Sequence, residues 1–110
     1  MSKRDDKVLL QDMLEHANDA IKFVGAMTLD EFCKDKKTKA AVTRSIRTIG
    51  EAASRVSEGT RLTIPAIPWK AMIGMRNILV HRYFDLDDEA LWKVVIQDLV
   101  DLVPYLKIRI

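Results

Sequence analysis

The sequence predicts an all-α fold: an antiparallel, up-and-down bundle of four main helices plus one short helix. Three observations carry this. Apolar residues recur at three- and four-residue intervals over most of the chain, the period of a half-buried helix. No run alternates with the period of two that a strand needs, and only 4 Gly and 3 Pro interrupt the 110 residues, too few for a turn-rich β chain. A length of 110 residues with a 48% hydrophobic share allows one real core and leaves no room for a second, so residues 1–110 read as a single domain.

The first helix spans Asp5 to Val24. Leu10, Met13, Leu14, Ala17, Ile21 and Val24 form its apolar stripe, and Gly25 stops it by accepting a left-handed backbone cheaply. Thr28-Leu29-Asp30-Glu31 is a capping box, with Met27 and Phe32 at the staple positions, so a short helix runs from Leu29 to about Lys34. The charged stretch from Lys34 to Lys39 reads as solvated surface and a turn. Asp35 or Thr38 opens the third helix, whose stripe is Val42, Ile46, Ile49, Ala53 and Val56, with Gly59 after its end. Gly59, Pro65 and Pro68 mark the longest irregular connection. The fourth helix begins near Pro68, which suits a first turn, and runs through Trp69, Met72, Ile73, Ile78 and Leu79 to about His81. Gly74 within it costs up to about 1 kcal/mol against Ala and suggests close approach by another helix. Asp87 caps the last helix, with Leu86 and Leu91 as a second staple pair. Leu91, Val94, Val95, Leu99, Leu102, Val103 and Leu106 give it a wide apolar face, and Pro104 is expected to bend it.

Charge and cysteine content narrow the function classes. Eighteen Lys+Arg against 16 Asp+Glu leave a net charge of +2, too little to demand a nucleic-acid partner, although a local basic cluster would suffice for one. Cys33 stands alone, so neither a disulfide framework nor a Cys-based zinc site is expected. No apolar run approaches a membrane span, and the N-terminus lacks the apolar stretch of a secretory signal. The expectation is a cytoplasmic protein without membrane attachment. No carboxylate pair with metal-ligand spacing stands out, so no metal or other cofactor is expected; Asp85, Asp87 and Asp88 read as helix-cap residues.

Two histidines bound the acid–base chemistry available near neutral pH. His16 lies beside the stripe of the first helix and reads as a rim residue. His81 lies in Arg76-Asn77-Ile78-Leu79-Val80-His81-Arg82-Tyr83. At about 100° per residue, Asn77 and His81 fall roughly 40° apart on one helix face. Arg76 lies roughly 140° from His81 and reaches the same spot only through its long stem, and it nearly eclipses Tyr83 if the helix persists. Two readings stand. In one, Arg76 pairs with a carboxylate of another helix and His81 caps the helix end. In the other, Arg76, Asn77 and His81 converge on a phosphate. Lys70 and Arg82 add positive charge nearby. Glu51 is an unusual charge between Ile49 and Ala53 if that face is buried, and reads as a structural ion pair to Arg76 or Arg47 that would position the arginine. Trp69 and Trp92 read as packing or interface residues, Cys33 as a buried small apolar group.

The longer string goes further. Ile67-Pro68-Trp69-Lys70 followed by Ile73-Gly74-Met75-Arg76-Asn77-Ile78-Leu79-Val80-His81-Arg82-Tyr83-Phe84 closely resembles the HepT-like family of HEPN-domain proteins, as do Ile49-Gly50-Glu51-Ala52-Ala53 and the opening of the first helix. The resemblance covers residues 5 to 107, and its most specific part is R-x4-H-x-Y, here Arg76, His81 and Tyr83. It implies an all-α homodimer, or a larger assembly of dimers, whose two motifs share a cleft and cleave RNA without a metal. It further implies a toxin of a two-gene module, with an MntA-like minimal nucleotidyltransferase as antitoxin that attaches AMP to the motif tyrosine, Tyr83. Arg76 and His81 would then be catalytic, Asn77 and Glu51 supporting, and Lys70 and Arg82 RNA-binding. The alternative is a non-catalytic HEPN adaptor that binds a nucleotidyltransferase or a nucleotide.

Overall fold

The computed structural model describes residues 3–82 and 87–109, with side chains over 5–75 and 87–108. The described residues are helical almost throughout, with no strand among them. The helices are α1 (Lys3–Val24), α2 (Leu29–Lys34), α3 (Lys36–Arg55), α4 (Glu58–Thr63), α5 (Trp69–Arg82), α6 (Asp88–Lys93) and α7 (Val100–Arg109), with a π-helical segment at Val94–Leu99 that joins α6 to α7. α1 is central: it packs on α3 along one side and on the π segment and α7 along the other, while α3 also receives α5.

The local signals act where they are placed. Gly25 has φ +53° and ends α1. The Thr28 hydroxyl accepts from the Glu31 amide and the Glu31 carboxylate accepts from the Thr28 amide, so two of the orphan N–H groups at that terminus are satisfied reciprocally. Asp35, not Thr38, opens α3: its carboxylate accepts from the Thr38 amide. The expected lysine turn is therefore largely the first turn of α3, and Lys39 reaches Asp88 at 3.2 Å.

Met13, Ala17, Ala20, Phe32, Val42, Ala53 and Leu106 are shut off from solvent. The alanines let the backbones of α1 and α3 approach closely, and each large apolar side chain contributes about 1.5–3 kcal/mol by leaving water. In the C-terminal helix the core residues Leu91, Val95 and Leu99 are spaced four and four. In a regular α-helix two such steps drift by about 80°. The wider turn of the π segment takes up that drift and keeps all three residues facing inward. The departure from α geometry thus precedes Pro104, which lies inside α7.

Three expectations are corrected. The connection after α3 is not irregular throughout, since α4 occupies its first half and Gly59 lies within that helix rather than at the end of α3; the bundle thus carries two short helices, not one. Among the described residues a Cβ on Gly74 would meet nothing within 4 Å, so none of them makes the expected close helix approach at that glycine. Cys33 is half-buried rather than fully buried.

The cap of α4 explains why it was not legible. Asp6, 3% exposed on α1, accepts from the Ser57 amide and hydroxyl and from the Thr60 hydroxyl, while Ser57 Oγ accepts from the Thr60 amide. The hydroxyl donors of Ser57 and Thr60 hold the Asp6 carboxyl below the usual carboxylate range, against the opposing effect of burial. A carboxyl depressed in the folded state adds stability above its unfolded pKa, about 4, and loses it as pH falls through the folded value. Denaturant titration from pH 7 to pH 3 is therefore expected to show a fall in stability that is smaller in Asp6→Asn, which cannot ionise.

Candidate functional site

The site is built around α5, and the path into that helix is held by named contacts. Ile64 and Ile67 are buried and pin the connection to the core. The Trp69 indole N–H donates to the Ile64 carbonyl at 3.1 Å. Arg61 Nη2 donates to the carbonyls of Ala53 and Ser54, both at 3.0 Å, adding a cationic donor to the carbonyls at the end of α3. The Arg61 guanidinium also lies 5.9 Å from the centroid of the Trp69 ring, within cation–π range. One arginine thus ties the last turn of α3 to the first turn of α5, and α5 runs back along α3. Met72 and Met75 of α5 and Ile46 and Ile49 of α3 line one groove, as this antiparallel placement requires.

Positions 76, 77, 81 and 82 all belong to α5, so Arg76, Asn77, His81 and Arg82 share one helix. Their side chains lie outside the described residues, and Tyr83, Asp85 and Leu86 lie outside them altogether. Lys70 is exposed on the first turn of α5. Glu51 is also exposed, on the solvent face of α3. The 49–53 stretch is buried on both sides of it, but helical rotation turns position 51 outward. Glu51 makes no ion pair with Arg47. Trp92 donates its indole N–H to the Met27 carbonyl at 3.2 Å and, like Trp69, serves packing. His16 is half-buried at the rim. Asp87 caps α6 through the Glu89 amide.

Beside α5 the bundle is open. A groove of about 760 Å³ lies between α3, α5 and the C-terminal helix. Its wall carries the exposed apolar side chains Val100, Tyr105 and Ile108, the last 79% exposed. Asp98 and Asp101 stand on the same wall. The groove was not legible in the sequence, because it exists only where two helices fail to meet. Among the described residues no helix is long and apolar enough to cross a membrane.

A family model described as "Ribonuclease HepT-like" matches residues 13–108. A Methanocaldococcus jannaschii protein named as a candidate RNase is 46% identical over 107 residues, covering 97% of this chain and 94% of its own. A second from the same organism, named likewise, is 45% identical over 96 residues, covering 87% and 79%. A Thermococcus cleftensis protein named "Probable ribonuclease HepT" is 37% identical over 100 residues, covering 91% of each chain. No solved structure matches with significance.

Proposed function

Because the chain belongs to the HepT-like ribonuclease family, we propose that it is a metal-independent endoribonuclease and the toxin component of a type II-like HEPN/MNT toxin–antitoxin system. The observation that carries this is the unbroken R-x4-H string, Arg76 to His81, on one continuous helix inside the matched stretch. RNA brings its own nucleophile. The 2′-oxygen attacks the adjacent phosphorus while one imidazole takes its proton, and the 5′-oxygen leaves with a proton from a second imidazolium. The products are a 2′,3′-cyclic phosphate and a 5′-hydroxyl. Arg76 stabilises the charge that develops on the phosphorane oxygens with a planar fork that keeps its proton. Asn77 orients the His81 ring or donates to a phosphate oxygen, and Lys70 and Arg82 add phosphate contacts.

Each chain has a single motif histidine, so two imidazoles require two chains, and the active form is a homodimer. The open groove supports this pairing. Its apolar wall is exposed, it carries Asp98 and Asp101, and every charged residue of α5 is basic, so a second copy finds both apolar area and opposite charge. The experiment that tests the function is incubation of a single-stranded RNA with the purified chain in EDTA. Fragments ending in 2′,3′-cyclic phosphate are expected, and intact RNA at high protein concentration would reject the nuclease reading.

Inhibition by an MntA-like nucleotidyltransferase completes the proposal. The Tyr83 phenol oxygen attacks the α-phosphorus of ATP, pyrophosphate leaves, and the phenol proton passes to a base. The AMP adds bulk and negative charge next to a site meant for a phosphodiester, and so excludes RNA by occupancy and repulsion. After incubation with antitoxin and ATP, mass spectrometry is expected to place the AMP mass on Tyr83 and to find none on Tyr83→Phe.

A further inference from the structure

The charge of this molecule is not spread evenly. α3 carries six basic residues and one acid, an excess of five in a chain whose total excess is two, so the remainder is acidic on balance. The buried positions of α3, Val42, Ser45, Ile46, Ile49, Gly50, Ala52 and Ala53, leave one solvent ridge at helical spacing: Lys37, Ala40, Arg44, Arg47, Glu51 and Arg55, all exposed. Lys39 is spoken for by Asp88. Arg44, Arg47 and Arg55 form no ion pair among the described residues. Exposed arginines in a row present guanidinium forks to solvent, and that planar geometry suits phosphate.

Their height on the bundle matters. Arg61 sets the last turn of α3 beside Trp69, and α5 runs antiparallel from there. At 1.5 Å per residue, position 81 lies about 18 Å along α5 from Trp69. That is level with positions near 43 on α3, and position 76 is level with about 48. Arg44 and Arg47 thus stand at the height of the R-x4-H motif on the neighbouring helix. Glu51 sits further toward Arg55 and separates it from that pair.

We propose that the α3 ridge centred on Arg44 and Arg47, continued by Lys37, is a binding track for the phosphates of the RNA strand flanking the cleaved bond. This rests on the nuclease reading for its substrate and adds residues outside the motif that hold it. Such a track binds without reading bases, and its contribution is salt-dependent through counterion release. It acts on substrate capture, not on the chemical step.

The test compares Arg44→Gln/Arg47→Gln with a control of equal charge loss, Lys22→Gln/Lys107→Gln, on exposed positions of α1 and α7. A fluorescent single-stranded oligoribonucleotide is titrated by anisotropy at several salt concentrations, in parallel with cleavage kinetics. The ridge variant is expected to bind at least about tenfold more weakly at low salt, with its log K–log salt slope shallower by about 1.4 for two phosphates lost. KM should rise by a similar factor with kcat unchanged, and the control should match the parent. Parent-like affinity and slope in the ridge variant would overturn the track, as would equal losses in ridge variant and control, or ridge-dependent binding of poly-glutamate as tight as that of RNA. If the parent binds RNA without cutting it, the nuclease reading fails, while the anisotropy slopes still decide the track. If it binds no RNA at all, both fail.

Discussion

His81→Ala is expected to lower RNA cleavage by at least about a hundredfold, the usual size of a lost general acid–base, and Arg76→Ala by a similar factor, the size of a lost charge stabiliser. Alanine is the best helix former, and position 81 is the penultimate residue of α5, so the helix itself gains no reason to break. Arg76→Lys discriminates further. A lysine keeps the positive charge but loses the fork, so a purely electrostatic role would be rescued while a bidentate one would not. If two imidazoles divide the base and acid roles as proposed, the parent pH–rate profile should be bell-shaped around neutrality. Both variants should still bind RNA, because Arg44 and Arg47 remain. Cleavage by His81→Ala or Arg76→Ala at the parental rate would remove that residue from the mechanism.

How much of the fold could be read in advance follows the range of each interaction. The Thr28 capping box closes within three residues, and both its hydrogen bonds are present. The stripes of α1, α3 and the last helix follow from repeat spacing; most of their residues are buried, Leu14, Ile21, Val94 and Val103 are half-buried against the core, and Leu9 and Ala20 join the core beside them. The unread element was α4. Ser57 does resemble a cap, but the acceptor that holds it is Asp6, 51 residues away, while Gly59, Pro65 and Pro68 suggested a loop. The π segment was equally hidden. Its cause is a phase mismatch between two four-residue steps and the core, visible only once the core's direction is known.

The candidate site divides along the same line. A string such as Arg76–Tyr83 is one-dimensional and needs no coordinates to be seen. Glu51 shows the opposite case: its neighbours in sequence are buried, yet its own side chain faces solvent. It took the full rotation of α3 to show that Arg44, Arg47 and Arg55 share that outward ridge. A net charge of +2 conceals such an arrangement, because acidic residues elsewhere cancel it in the sum without neutralising it in space.

Phe32→Ala is expected to cost about 3–5 kcal/mol, the range for truncating a buried aromatic. Phe32 is 0% exposed and heads the largest fully buried side chains. It stands in a six-residue helix, far too short to hold itself together in water, so α2 exists because this ring anchors it. Packed against α2 are α3 and α6, and the neighbouring Met27 carbonyl accepts from Trp92. Loss of the ring therefore loosens the joint between the first half of the chain and its C-terminal helix. Small domains hold only about 5–15 kcal/mol in all, so a loss of this size removes about a fifth of the total or more. Urea unfolding should show the midpoint falling with little change in slope, as for a change in stability alone. By contrast, a loss below about 1 kcal/mol would mean that the core closes over the gap and that α2 is held by its capping box instead.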